Sequence, residues 1–259
     1  MNIIIDFHQH FANGGERDFL RRLFDGMDAA GVDIVCLNGV VVPTTLSVNG
    51  NGEVEKAFKE YPNRIVGFGA VYPGRDPFEK VDELHSRGFK GLKMIWPTKR
   101  YDHEDFATYY EKAEKYEMPI LFHTGIIAAS PIDKEWKISS SYMQPVCLDK
   151  ICRMFPKLRV IAAHMGDPWY LEAYMTSQKN PNMWLDISGL AIFLKAANIR
   201  KYLNIRLKPD KLLWGLDEPP EKYLRLLLTW KTLLGEIGIS EQDSENIFGK
   251  TAATILAIK

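Results

Sequence analysis

Cysteine is scarce in this chain: Cys36, Cys147 and Cys152 are the three in 259 residues, and no two stand at CxxC spacing. That argues against a disulfide framework or a thiolate zinc site, and for a reducing, cytoplasmic setting. Long apolar runs are missing too; none approaches the roughly 20 residues that span a bilayer. The stretch Met1-Asn2-Ile3-Ile4-Ile5-Asp6 has no basic region and meets a charge at Asp6, so it does not read as a secretory leader. Charge of one sign is absent: 33 Lys and Arg balance 33 Asp and Glu. That balance excludes whole-chain electrostatic binding of nucleic acid, and acidic disorder with it. Linkers and low-complexity tracts are also lacking, so residues 1–259 read as one domain.

What is present is a core. Hydrophobic residues make up 46% of the chain, enough to bury an ordinary α/β interior. Eight short apolar runs alternate with longer amphipathic stretches. They cover residues 3–7, 33–37, 65–71, 91–95, 119–122, 159–163, 183–187 and 212–216. Nearly continuous apolar character marks parallel strands covered on both faces. Helices are expected over 17–30, 76–87, 104–116 and 148–155, with Gly31 and Gly88 as C-terminal glycines. Eight such units predict an α/β fold of the (β/α)8 TIM-barrel type, with additional C-terminal helix over 241–248 and 251–258. A doubly wound open sheet competes, but it usually carries a glycine-rich loop after strand one. Here that place is taken by His8-Gln9-His10.

In a barrel the C-terminal strand ends form the active face. His8 and His10 follow strand one, His123 ends strand five, His164 ends strand six and Asp217 follows strand eight. Residues two apart on an extended segment point the same way, so His8 and His10 can chelate one ion. His123 and Asp217 would approach from across the mouth. Such donors suit one divalent metal, Zn²⁺ first, with Mn²⁺, Fe²⁺ or Co²⁺ as alternatives. His164 is then free for general acid–base work. Each residue alone has a plainer reading: an HxH pair on a surface, a satisfied strand-end histidine, or an aspartate capping the next helix. Their concentration at four strand ends favours the metal site.

Residues just after the strands are candidate pocket walls: Phe11, Asn38, Tyr72, Trp96, Met165, Trp169 and Ser188. Trp96 and Trp169 suit a small organic ring, with plain core packing as the alternative. The segment 124–143, between strand five and the next helix, is a lid candidate or a surface loop pinned by Trp136.

The stretches Ile5-Asp6-Phe7-His8-Gln9-His10, Gly88-Phe89-Lys90-Gly91-Leu92-Lys93, Pro119-Ile120-Leu121-Phe122-His123-Thr124-Gly125, Val160-Ile161-Ala162-Ala163-His164-Met165-Gly166 and Leu213-Trp214-Gly215-Leu216-Asp217-Glu218-Pro219 together resemble the amidohydrolase-related proteins. The branch they resemble contains aminocarboxymuconate-semialdehyde decarboxylase and 2-pyrone-4,6-dicarboxylate lactonase. The resemblance implies metal ligation by His8, His10, His123 and Asp217. It implies a catalytic role for His164, with Asp217 relaying a proton. Leu216 stands where the family often has a small polar residue, and Gly249-Lys250 where it often has Gly-Asn.

In some related hydrolases a strand-four lysine becomes carbamylated and bridges two metals. Lys93 lies in the corresponding strand, and a cationic pocket role or an ion pair with a carboxylate is the favoured expectation. The implied activity is metal-dependent hydrolysis of a small ester, lactone or amide. Non-oxidative decarboxylation of a carboxylated aromatic or muconate-like acid is the alternative, and an inactive ligand-binding barrel is a third. A small-molecule substrate is the expected partner, with no nucleic acid or membrane. A homodimer is compatible with the resemblance, without an assignable interface.

Overall fold

The structure is a computed structural model that describes residues 3–11, 16–40 and 50–258. Eight parallel strands run in sequential order: β1 Ile5–His10, β2 Ile34–Asn38, β3 Ile65–Val71, β4 Gly91–Met94, β5 Ile120–Phe122, β6 Val160–Ala162, β7 Met183–Asp186 and β8 Leu212–Leu213. Helices α1 (Glu16–Ala30), α2 (Gly50–Glu60), α3 (Glu79–Ser86), α4 (Ala107–Lys115), α5 (Asp133–Trp136), α6 (Cys147–Met154), α7 (Tyr170–Lys179), α8 (Ile192–Tyr202) and α9 (Tyr223–Ile237) lie between or after them. The chain then turns through α10 (Glu241–Glu245), a π-helical turn (Asn246–Lys250) and α11 (Thr251–Leu256). This is the expected TIM barrel with its C-terminal helices.

Strand alternation sorts the apolar residues into two cores. Ile5, Phe7, Cys36, Phe68, Leu121, Ile161 and Leu213 pack inside the barrel, where Ala252 and Ile255 of α11 join them. Val35, Leu37, Leu92, Ile120, Val160 and Leu185 face the helix layer. There Phe19, Leu20, Leu23 and Met27 of α1 form the stripe that 3.6-residue spacing predicts. The three cysteines are free and buried.

Two strands depart from expectation, and both departures shape the site. β1 extends to His10, past a register shift between Asp6 and Gln9, so the HxH pair lies within the strand. β8 is only two residues long, because its continuation bonds elsewhere. Phe7 N–H donates to Trp214 O at 3.1 Å, Trp214 N–H to Ile247 O at 2.9 Å, and Asp217 N–H to His8 O at 2.8 Å. Buried Asp6 completes this seam by accepting from His8 N at 2.8 Å, Leu216 N at 2.9 Å and Tyr223 Oη at 2.5 Å. Gly215 is required where the seam is tightest: a Cβ there would stand 2.7 Å from His8 Cβ.

The 124–143 segment is partly ordered by α5. Trp136 packs edge-on against Tyr72 and Trp96, with ring centroids 5.5 and 5.8 Å away, and the Arg75 guanidinium lies 4.6 Å from its ring. No helix among the described residues is long and apolar enough to cross a membrane.

Candidate metal centre and active-site cavity

The barrel brings His8, His10, His123, His164 and Asp217 to one end. His8 is wholly buried. Its Nδ1 lies 2.6 Å from Asp186 Oδ2 and 3.0 Å from Ser188 Oγ. A proton on Nδ1 satisfies both contacts and leaves the Nε2 lone pair facing inward. There Nε2 meets His10 Nε2 at 3.2 Å and Lys93 Nζ at 2.9 Å. Asp217 Oδ1 stands 3.2 Å from His10 Nε2 and 3.8 Å from His8 Nε2, while Oδ2 stands 3.6 Å from His164 Nε2. Ligand atoms of His8, His164 and Asp217 all fall within 4.8 Å of one another.

The residues present fit a divalent metal. His123 Nε2 is buried without a hydrogen-bond partner, an arrangement that costs about 1–3 kcal/mol unless something fills it. Its ring lies 5.0 Å from that of His164. At His8 Nε2 the Lys93 side chain already donates to the lone pair that a metal would use. The donor set of imidazoles and a carboxylate suits Zn²⁺ or Mn²⁺.

Titration behaviour agrees with that fit. Burial, reinforced by Lys93, lowers His8, and the same causes push His123 down to about 3. Burial also holds His164 well below its ordinary value, so these imidazoles are neutral lone-pair donors near pH 7. Burial works to raise Asp217, but His8 and His10 beside it hold it well below the usual carboxylate range. Lys93 is brought down to about 8 by burial, against the pull of Asp217 and Asp186.

Two of these groups, and one neighbour, sit on strained backbone. His164, the adjacent Met165 and Asp217 take left-handed conformations, with φ of 58°, 55° and 49°. Such residues cost of order 1–3 kcal/mol each and cluster at functional sites. Gly189, at φ 76°, lets the β7 loop pass close by: a Cβ there would lie 3.3 Å from His164 Nδ1 and 3.4 Å from Asp217 Oδ2.

Above the cluster is a cavity of about 560 Å³. His123, His164, Asp217 and Glu218 line its floor, with Ile126, Ala128, Pro168 and Leu190 among its apolar walls. Thr124, Ile126 and Ala128 of segment 124–143 line the cavity, while Trp136 packs on Tyr72 and Trp96.

Some expected contacts fall elsewhere. Trp96 is buried against Tyr72, with ring centroids 5.8 Å apart, and is not among the cavity walls. Its ring is drawn into the aromatic cluster with Trp136. Trp169 is not among the cavity walls either; its neighbour Pro168 is. Asn38 is committed to the backbone, donating to Gln9 O at 2.8 Å. Lys93 does not form the expected ion pair; among the described residues its partner is His8 Nε2, because β4 aims it at the barrel axis.

The sequence reading missed Asp6 and Asp186 as supporting residues, and did not single out Lys195. Asp6 and Asp186 had a signal, an acidic residue inside an apolar strand. Lys195 is buried on α8, donating to Leu190 O at 2.7 Å and to Ser188 O. It looks like any helix lysine in the sequence.

The pattern of the Amidohydrolase family matches residues 5–258. The chain belongs to this family. It is an enzyme of the amidohydrolase superfamily, in which metal dependence is the rule. No curated protein matches it. Among solved structures it is similar to a 5-carboxyvanillate decarboxylase from Sphingomonas paucimobilis, at 17% identity and TM-score 0.68 over 100% of both chains. A probable 2-pyrone-4,6-dicarboxylic acid hydrolase from Acinetobacter baumannii, solved with citric acid bound, is similar at 17% identity and TM-score 0.66 over 100% of both chains. A dihydroxybenzoic acid decarboxylase from Polaromonas sp. JS666, solved with manganese and 2-nitroresorcinol, matches at 18% identity and TM-score 0.67, over 100% of this chain and 98% of that one. At these identities the likeness shows the fold.

Proposed function

We propose that this amidohydrolase-family enzyme is a metal-dependent hydrolase of a small organic ester, lactone or amide. One observation carries the reading: Asp217 turns one carboxylate oxygen to His10 and the other to His164, at 3.2 and 3.6 Å. A single ionised group thereby connects the metal donors with the imidazole best placed to handle a proton.

In this reading His8, His10, His123 and Asp217 hold one divalent metal. Bound there, such an ion polarises a carbonyl and acidifies water. His164 Nε2 takes a proton from the attacking water and returns it to the leaving group. Asp217 Oδ2, 3.6 Å away, steadies the charged form of that imidazole. Ile126, Ala128, Pro168 and Leu190 cover one side of the substrate and exclude solvent.

Decarboxylation is the second reading, favoured by structural neighbours named as decarboxylases, which outnumber the one named as a hydrolase of a pyrone dicarboxylic acid. The same donors would serve it, with a carboxylated aromatic acid in the cavity. The separating experiment incubates metal-loaded enzyme with lactone, ester, amide and carboxylated-aromatic panels. One new acid group per turnover without CO₂ supports hydrolysis. CO₂ release supports decarboxylation. No turnover of either kind on any panel would count against both.

A further inference from the structure

The Ser188 hydroxyl lies between the two halves of the site. Its Oγ is 2.6 Å from Asp186 Oδ2, 3.0 Å from His8 Nδ1 and 3.2 Å from His164 Nδ1. Its backbone N–H donates to the other Asp186 oxygen at 2.7 Å. Its carbonyl accepts from Lys195 Nζ, which also holds Leu190 O at 2.7 Å. Ser188 is fully buried and Lys195 nearly so.

Proton counting decides what this hub does. A hydroxyl has one proton and two acceptor positions, and an ionised carboxylate only accepts. The Ser188 proton therefore goes to Asp186, at the shortest of the three contacts. Both imidazole Nδ1 atoms must then be donors, and both Nε2 lone pairs face the space around Asp217. We propose that Ser188 is a positioning residue that locks His8 and His164 in the same Nδ1–H tautomer, with Lys195 clamping the loop that carries it. His8 thereby offers its lone pair to a metal, and His164 offers its own to a proton.

Serine is specific here. Without the hydroxyl, the next acceptor for His164 Nδ1 is Ser188 O at 3.4 Å, at the weak limit of a hydrogen bond. His8 keeps Asp186 but loses the second acceptor of its Nδ1, so His164 loses the group that fixes its tautomer and His8 loses part of the support behind its inward-facing lone pair. The inference rests on the proposed division of labour between those two histidines, but its test does not require the substrate.

The test is ¹⁵N NMR of histidine-labelled, metal-free enzyme, paired with Zn²⁺ titration, on wild type, Ser188→Ala, Ser188→Thr and Lys195→Met. Expected are Nδ1–H tautomers for His8 and His164 in the wild type. Ser188→Ala should give mixed tautomers at His164 and a roughly 10-fold weaker Zn²⁺ site, the low end of the effect of removing an outer-shell partner. Ser188→Thr, which keeps the hydroxyl, should restore both. Lys195→Met should fall between, and carries the test if Ser188→Ala does not fold. An Nε2–H tautomer at His164 in the wild type would overturn the proposal. So would variants whose tautomers and Zn²⁺ affinity match the wild type. Tautomers that respond as expected in an enzyme inert towards every substrate panel would uphold this inference while removing the proposed function.

Discussion

Asp217 stands 3.6 Å from His164 through one oxygen and 3.2 Å from His10 through the other. In the proposed division of labour His10 is a metal donor, whereas His164, which lines the cavity, handles the proton. His164→Ala should therefore keep the metal and lose about 10²- to 10⁴-fold in kcat, the usual contribution of a positioned acid–base group. Steady-state kinetics with metal analysis of the same sample checks this. Unchanged kcat would remove His164 from proton transfer.

Lys93 donates to the same Nε2 lone pair of His8 that a metal would use. Its ammonium, brought down to about 8, therefore competes with metal binding. Protonation holds the lysine on His8 below that pH; deprotonation releases it above. Metal affinity of the wild type should rise with pH up to about 8 and then level. Lys93→Met should bind more tightly at pH 7, with a flatter profile. Calorimetric titration between pH 6.5 and 9 reads both, and equally steep profiles would refute the competition.

Asp6 gives a stability prediction for the metal-free protein. Burial raises its carboxyl from 3.8 to about 7, although Tyr223 and the His8 and Leu216 amides pull the other way. The folded state therefore holds a proton that the unfolded chain releases near pH 4. Stability is full below about pH 4 and falls as pH rises to about 7, by on the order of 4 kcal/mol from this group alone. Asp6→Asn should flatten that fall, since an amide keeps an acceptor for the two backbone N–H groups and donates to Tyr223. Urea denaturation at pH 4.5 and 7.5 compares the two proteins; equal slopes with pH would contradict the assignment.

Gly215→Ala should act on the metal site through packing alone. Its new Cβ would meet His8 Cβ at 2.7 Å and Asp186 Oδ1 at 3.1 Å, with no flexible chain end to give way. We expect a loss of about 1–3 kcal/mol, with weaker metal binding than in an equally destabilised variant on the outer face of α1. Thermal melts and metal titration of the pair make the comparison.

The fold and the five central residues were legible in the sequence for a physical reason. Parallel strands are apolar on both faces, so a histidine or aspartate stands out where such a run ends. His8, His123, His164 and Asp217 all announce themselves in that way. Asp6 and Asp186 carry the same mark, but Ser188 and Lys195 do not: their contacts run through backbone turns and across distant parts of the chain, as with Ser188 to His8. For Trp96 the sequence leaves pocket wall and core packing open, because strand-end position does not fix side-chain direction; the structure packs it against Tyr72 and Trp136. Lys93 is legible as a strand-four lysine, but its contact with His8 is not, since strand register and not local sequence points it there. β8 is expected over 212–216 but ends at Leu213, because the following backbone bonds to β1 and to the π-helical turn, which no local pattern reveals.

The central claim is a mononuclear centre built on His8, His10, His123 and Asp217. Its most direct test is metal content per chain by plasma mass spectrometry, on protein purified without chelator or added metal. Wild type should carry about one Zn or Mn, and His8→Ala and Asp217→Ala should carry far less at equal thermal stability. Metal fully retained in both variants, or absent from wild type and not restored by adding Zn²⁺ or Mn²⁺, would contradict it.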